Sequence, residues 1–171
     1  MLIVLGGLPG TGKTTIAREL VARCSAVYLR IDSIEQALLS SNALAGEVGP
    51  LGYLVAYELA RSNLALGLTV VADSVNPLAV TREAWRDVAA STSSGLIEVE
   101  IVCSDAAEHR RRVEGRSADI PGHVLPTWAS VLRHEYEPWK TDRVVIDSAL
   151  VDARVAASLI LAGLRSRVVR E

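Results

Sequence analysis

The sequence predicts an α/β fold, a five-stranded, mostly parallel sheet with helices on both faces. Three observations carry that reading. Short apolar runs alternate with helical patterns along the chain, as in successive βαβ units. The first run, Met1-Leu2-Ile3-Val4-Leu5, is continuously apolar, as suits a central strand buried on both faces. It leads directly into Gly7-Leu8-Pro9-Gly10-Thr11-Gly12-Lys13-Thr14, and a helical pattern follows at once. Strand, glycine loop and helix in that order are the context in which Gly-x-x-x-x-Gly-Lys-Thr binds phosphate.

The remaining elements follow in order. A helix over about 13–23 turns Ile16, Leu20 and Cys24 inward, with Ala17 and Val21. Residues 26–31 form a second strand that ends at Asp32, and 33–40 a short helix. Residues 41–49 read as a loop, and Pro50 opens a helix over 51–66 that Gly67 stops. Leu68–Ala72 is a third buried strand ending at Asp73, with a helix over 78–90 beyond Asn76-Pro77. Residues 96–103 are a fourth strand; Glu98 and Glu100 alternate with apolar neighbours and predict one partly solvated face. Ser104 or Asp105 caps a helix ending near Gly115, and Thr127 caps another reaching Glu135. A fifth strand at 143–146 and a closing helix at 152–164 leave 165–171 as a charged, solvated tail.

At 171 residues the whole chain, 1–171, reads as one domain. Half of it is hydrophobic and 22% is charged, which excludes a disordered chain. No apolar run reaches the ~18 residues a membrane span needs. The first strand lacks a basic leader, so it reads as core and not as a signal peptide. A net charge of −2 gives no general attraction to a nucleic acid; such a role would need a local basic patch. Cys24 and Cys103 are far apart and read as reduced core residues of a cytoplasmic protein. His109, His123 and His134 lack metal-ligand spacing.

The glycine loop dictates its own chemistry. Glycines let backbone N–H groups wrap closely around phosphate oxygens, and the helix starting near Lys13 adds its positive end. Residues Gly7, Leu8, Pro9, Gly10, Thr11, Gly12, Lys13, Thr14 and Thr15 therefore form a nucleotide-binding segment. Lys13 can reach the β- and γ-phosphates of ATP, and the Thr14 hydroxyl can ligate Mg²⁺. Asp32 and Asp73 stand at strand ends on the same rim, where ligands bind in such sheets. Asp32 suits a base that takes the proton of an acceptor hydroxyl, or a helix cap. Asp73 suits the Mg²⁺ shell, or a turn before Asn76-Pro77. The residues alone leave the two aspartates interchangeable.

The glycine loop, Ile31-Asp32, the Asp73–Asn76–Arg82 spacing and an arginine-rich lid together resemble the small P-loop kinases. That group includes gluconate kinase, chloramphenicol phosphotransferase and the polynucleotide 5′-hydroxyl kinase domain. The resemblance covers about residues 1–150 and implies a three-layer P-loop fold. It favours Asp32 as the base and implies that Asn76 and Arg82 line the acceptor side. Taken alone, these two are a turn and a helix-surface charge. Arg112-Val113-Glu114-Gly115-Arg116 is similar to the lid arm of nucleoside monophosphate kinases. That similarity implies that Arg112 stacks on adenine and Arg116 reaches the phosphates, above a lid over about 116–126. Trp128 and Tyr136–Trp139 read either as core or as a wall of the substrate pocket.

The expected activity is phosphoryl transfer from ATP to a hydroxyl of a small molecule, with Mg²⁺, catalysed through Lys13, Asp32 and Arg116. An ATP-dependent switch acting through a partner, and a polynucleotide 5′-hydroxyl kinase, are the alternatives. Acceptor-dependent ATP turnover separates the first of these from the kinase.

Overall fold

The computed structural model describes residues 1–41 and 47–168, the last five of these by backbone alone. Strands β1 (Leu2–Gly6), β2 (Val27–Arg30), β3 (Val70–Asp73), β4 (Leu96–Val102) and β5 (Val144–Asp147) make one sheet. Their order is β2-β3-β1-β4-β5, and every pairing is parallel. Helices α1 (Lys13–Cys24) and α7 (Ala153–Val168) cover one face, α3 (Leu51–Ala65) and α4 (Ala79–Ser91) the other.

Alternation along β1 explains the three layers. Leu2 and Val4 pack with Tyr57, Ala60 and Trp85, while Ile3 and Leu5 pack with Ile16, Leu20 and Ile160. All four β1 side chains are fully buried. Each contributes roughly 1.5–3 kcal/mol relative to exposure. The chain steps from β1 to β2 two places away, returns to place β3 between them, then crosses to β4 on the far side. The ends of β1 and β3 are therefore adjacent at the switch in strand order, where ligands of open α/β sheets bind. The register pairs Leu5 with Asp73, which sets that aspartate beside the glycine loop.

Helices α2 (Ile31–Ser40), α5 (Ala106–Gly115) and α6 (Trp128–Leu132) ring the same rim. Asp105 is the cap of α5, accepting from the Ala107 and Glu108 amides at 2.9 and 3.1 Å. Thr127 caps α6, accepting from the Ser130 amide, but the helix stops at Leu132 and not at Glu135.

Several expectations need correction. Glu98 and Glu100 do not face solvent: β4 lies between β1 and β5, and both carboxylates are buried. They pair with Arg86 at 3.0 Å and Arg143 at 2.5 Å, since burial without a partner would be costly. Asp32 is not a cap, because α2 begins at Ile31 directly after β2, with Arg30 in the cap position. Cys24 and Cys103 are free but only half-buried. Residues 165–168, expected in a solvated tail, continue α7. Residues 42–46 of the expected 41–49 loop, and 169–171 of that tail, lie outside the described residues. Among the described residues no helix is long and apolar enough to cross a membrane.

Candidate active site

The loop between β1 and α1 is held open by backbone geometry. Gly7 and Gly10 have φ of +141° and +85°, the region that favours glycine. A Cβ on Gly7 would strike the Ile101 carbonyl, and one on Gly10 would strike Val113 of α5. Helix α5 also supports the loop through His109, whose Nε2 lies 2.8 Å from the Pro9 carbonyl oxygen. A carbonyl only accepts, so Nε2 carries the proton. Gly12 occupies the cap position of α1 and has no side chain to bond the first-turn amides. Those donors and the helix dipole point into the loop.

Lys13 is buried there, and its Nζ donates to the Leu8 carbonyl oxygen at 2.9 Å. The Thr11 hydroxyl donates to the same oxygen. Burial holds the lysine down at about 8, against the opposing pull of Asp73 and Asp32. Arg116 and Arg30 push it the same way as burial. A buried ammonium whose bonded partner is a neutral carbonyl suits an incoming anion. The residues present therefore fit a phosphate chain.

Asp73 closes the floor. Its Oδ2 accepts from the Thr14 hydroxyl at 2.8 Å and from the Tyr28 hydroxyl at 2.7 Å. Thr14 Oγ1 and Asp73 Oδ2 thus converge, a hard-oxygen pair of the kind Mg²⁺ takes alongside phosphate oxygens. Among the described residues no group of three or more His, Cys, Asp or Glu could hold a metal. The ion would therefore be held jointly with the nucleotide.

A cleft of about 880 Å³ opens over these residues. Lys13, Thr14, Asp32, Asp73, Arg112 and Arg116 all line it, as do Pro9, Gly10, Gly12 and Thr15. Gly7, Leu8 and Thr11 lie beneath and shape the loop. Arg112 donates from Nε to Glu108 at 2.7 Å, and from Nη1 and Nη2 to the Ser148 hydroxyl and carbonyl. With its edges bonded, the guanidinium has its faces left for stacking. Arg116 follows α5 directly. Its Nε is buried without a partner among the described residues. Burial lowers its pKa, opposed by Asp32 and aided by Arg30.

Asp32 stands in the first turn of α2 with Arg30 Nη2 3.7 Å from its Oδ2. Asp119, in the 116–126 segment, ties that segment to the sheet. It accepts from Arg18 at 2.6 Å and from both terminal nitrogens of Arg30 at 2.7 and 3.1 Å. Those arginines hold its carboxyl well below the ordinary range. A second cavity, of about 570 Å³, adjoins the first and shares Asp32 with it.

Two expected acceptor-side residues are elsewhere. Arg82 is buried, and donates to the Leu78, Pro77 and Glu137 carbonyl oxygens at 3.1, 2.8 and 2.8 Å. Trp139 stacks on it, 4.6 Å from guanidinium to ring centre. Hydrogen bonds to a charged group contribute roughly 1.5–3 kcal/mol each, which offsets a desolvation cost of several kcal/mol. Arg82 therefore fastens the start of α4 to the 136–139 segment. It is neither a surface charge nor a wall of either cavity. Asn76 is also fully buried, at φ +51°, with its Oδ1 accepting from the Thr81 hydroxyl. Tyr136 and Trp139 belong to this packing, since Trp139 Nε1 donates to the Tyr136 hydroxyl and Gly6 lies against the indole. Trp128 packs edge-on to His109, behind the loop.

Tyr28 and Asp119 were not anticipated, and Arg30, read as a charge for an anionic substrate or as surface charge, instead bonds Asp119. Tyr28 and Arg30 have a sequence signal: at period two in β2 they share a face, one step before Asp32 on the rim. Asp119 has none, because a single carboxylate in a Pro/Gly-rich segment carries no pattern.

The chain belongs to a family of AAA domains (AAA_33), whose model matches residues 2–134. It is 30% identical over 109 residues to the uncharacterized protein Rv2004c of Mycobacterium tuberculosis, covering 57% of this chain and 22% of that protein. The chain thus spans about a fifth of the length of the curated relatives it matches first. Its fold is similar to that of Chaetomium thermophilum Kti12 in complex with ADP-AlF3. The TM-score is 0.73 at 17% identity, over 97% of this chain and 98% of that one. It is also similar to a gluconokinase from Sinorhizobium meliloti 1021, with TM-score 0.67 and 21% identity over 97% and 94% of the two chains. The fold is that of the small P-loop kinases, three layers around a parallel sheet.

Proposed function

We propose that residues 1–171 form an ATP-dependent phosphotransferase that moves the γ-phosphate of ATP to a hydroxyl of a small molecule. The observation that carries it is Asp32, the carboxylate common to the P-loop cleft and the adjoining cavity. A carboxylate between a triphosphate site and an acceptor site is what hydroxyl phosphorylation needs. The acceptor oxygen bonds to the γ-phosphorus as the bond to the β,γ-bridging oxygen breaks. ADP leaves with that electron pair, and Asp32 takes the hydroxyl proton.

The chain's own groups do the positioning. The amides of residues 10–14 and Lys13 hold the phosphates, while the face of Arg112 supports the base. Arg116, the first residue of the 116–126 lid, neutralises charge on the transferring group. Mg²⁺, when bound at Thr14 and Asp73, supplies charge neutralisation at the β- and γ-oxygens. The apolar second cavity keeps water from competing with the acceptor. The deciding experiment is ADP release with and without added hydroxyl compounds. Release that rises with an acceptor supports the kinase; turnover indifferent to every acceptor points to a nucleotide switch.

Two variants test the nucleotide end. Lys13→Ala is expected to lower ATP affinity severely by titration calorimetry, with an unchanged circular dichroism spectrum, because the side chain faces phosphate. A variant that binds and turns over ATP normally sinks the nucleotide assignment. Asp73→Asn keeps the shape but removes the one charge that this Thr14–Asp73 pair offers the metal. The Mg²⁺ concentration for half-maximal activity should rise about 10–100-fold, the usual effect of weakening a metal's supporting ligands. An unchanged Mg²⁺ curve would leave Asp73 as an anchor for Thr14 and Tyr28 alone.

A further inference from the structure

The cavity beside the P-loop cleft has a chemical character of its own. Its walls are Ile31, Tyr53, Leu54, Leu78 and Val80, from α2, α3 and the start of α4. Its volume, about 570 Å³, is that of a small-molecule site. Among the described residues Asp32 and Glu35 are its acidic residues, and no lysine or arginine lines it. Arg82 is engaged with three carbonyls, and Arg30 bonds Asp119 while one of its nitrogens stands 3.7 Å from Asp32.

Glu35 lies against Gly52 on α3, where a Cβ would collide with its side chain. Burial, with Asp32 adding to it, pushes this carboxyl up to about 7. Among the described residues no cation pairs with it. His134, which also lines the cavity, is held below its ordinary value by burial and by Lys13. Above about pH 7 the cavity therefore presents two carboxylates in an apolar setting.

We infer that the acceptor is an amine-bearing alcohol with a largely apolar body, its ammonium group met by Glu35 and its hydroxyl by Asp32. The inference rests on the phosphotransfer reading for the role of Asp32. The physical argument has two parts. Apolar walls reward an apolar body by about 25 cal/mol for each Å² buried. An anionic acceptor would face Glu35, which has no cation partner among the described residues. Beside it stands Asp32, whose nearest arginine nitrogen is 3.7 Å away and shared with Asp119. That juxtaposition costs several kcal/mol. Sugar acids and phosphorylated acceptors are thereby disfavoured.

Three probes of similar size test the class by binding, independently of turnover. They are phenylalaninol, with an amine and a hydroxyl; 3-phenyl-1-propanol, neutral; and 3-phenyllactate, with a carboxylate and a hydroxyl. Titration calorimetry on the full chain at pH 8, above the Glu35 value, should rank them in that order. Phenylalaninol should bind about tenfold tighter than the neutral alcohol, and phenyllactate least. Glu35→Gln should remove the amine preference while leaving 3-phenyl-1-propanol unaffected. Leu54→Arg, at a half-exposed wall position that tolerates a long side chain, should weaken phenylalaninol and strengthen phenyllactate. Phenyllactate binding as tightly as phenylalaninol, an amine preference that survives Glu35→Gln, or no binding of any probe at millimolar concentration overturns the inference. The predicted ranking with no ADP release from any bound amino alcohol would instead count against phosphotransfer and leave the ligand class standing.

Discussion

Asp32→Asn is expected to abolish phosphoryl transfer to the acceptor while ATP and Mg²⁺ bind as before. The amide keeps the size and the hydrogen-bonding reach but cannot accept a proton. General base catalysis contributes about 10²–10⁴-fold, so transfer should fall by that range. A structural explanation of such a loss is easily separated. Asp32 sits in the first turn of α2, and losing a negative charge there costs roughly 0.3–1 kcal/mol through the helix dipole. Its one ion-pair neighbour, Arg30 at 3.7 Å, keeps two bonds to Asp119. The fold should therefore survive. Single-turnover assays with saturating acceptor, beside ATP titration, make the measurement. Transfer within tenfold of the unmodified protein would remove Asp32 from the base role. A raised Mg²⁺ requirement here, with loss of transfer in Asp73→Asn, would exchange the two roles.

The parts of this site legible in the sequence are those set by local geometry. The glycine loop reads at once because its spacing, the apolar run before it and the helix after it are all contiguous. Asp73 and Asp32 read from their places at strand ends, and the register of β1 with β3 brings Thr14 and Asp73 within 2.8 Å. What failed depends on strand order and long-range packing. Glu98 and Glu100 alternate like solvated residues, yet β4 is interior and two arginines from distant segments neutralise them. Arg82 looks like a surface charge on a helix, but carbonyls from residues 77, 78 and 137 enclose it. Asn76 followed the resemblance to an acceptor wall, whereas it is fully buried at positive φ with its Oδ1 bonded to Thr81. Asp119 pairs with arginines 89 and 101 positions away, a distance that no periodicity spans.

Arg116→Ala is expected to lower the transfer rate on the order of 10³-fold, the lower part of the range for phosphate-stabilising arginines. ATP affinity should change much less. The reason lies in where the guanidinium stands. It lines the cleft beside Lys13 and Asp32, and its Nε is buried without a partner among the described residues. A cation held in this way meets its counter-charge when charge gathers on the transferring phosphoryl, and such interactions raise the rate more than they tighten substrate binding. Its place at the end of α5, before a segment containing Pro121, Gly122 and Pro126, lets closure of 116–126 deliver it. Asp119 belongs to that segment, so its bonds to Arg18 and Arg30 set the resting position from which closure starts. Arg116→Lys should restore part of the rate, since an ammonium keeps the charge but loses the planar fork. Arg112→Ala should behave differently. Its edges are already bonded to Glu108 and Ser148, so what it offers a nucleotide is a stacking face, and its loss should weaken ATP binding more than the transfer step. Steady-state kinetics on the three variants, with acceptor saturating, read the difference as a fall in kcat for Arg116→Ala and a rise in the KM for ATP for Arg112→Ala. Unchanged turnover in Arg116→Ala would reduce residues 116–126 to a surface loop, and equal effects of both variants on KM would make the two arginines a single nucleotide clamp.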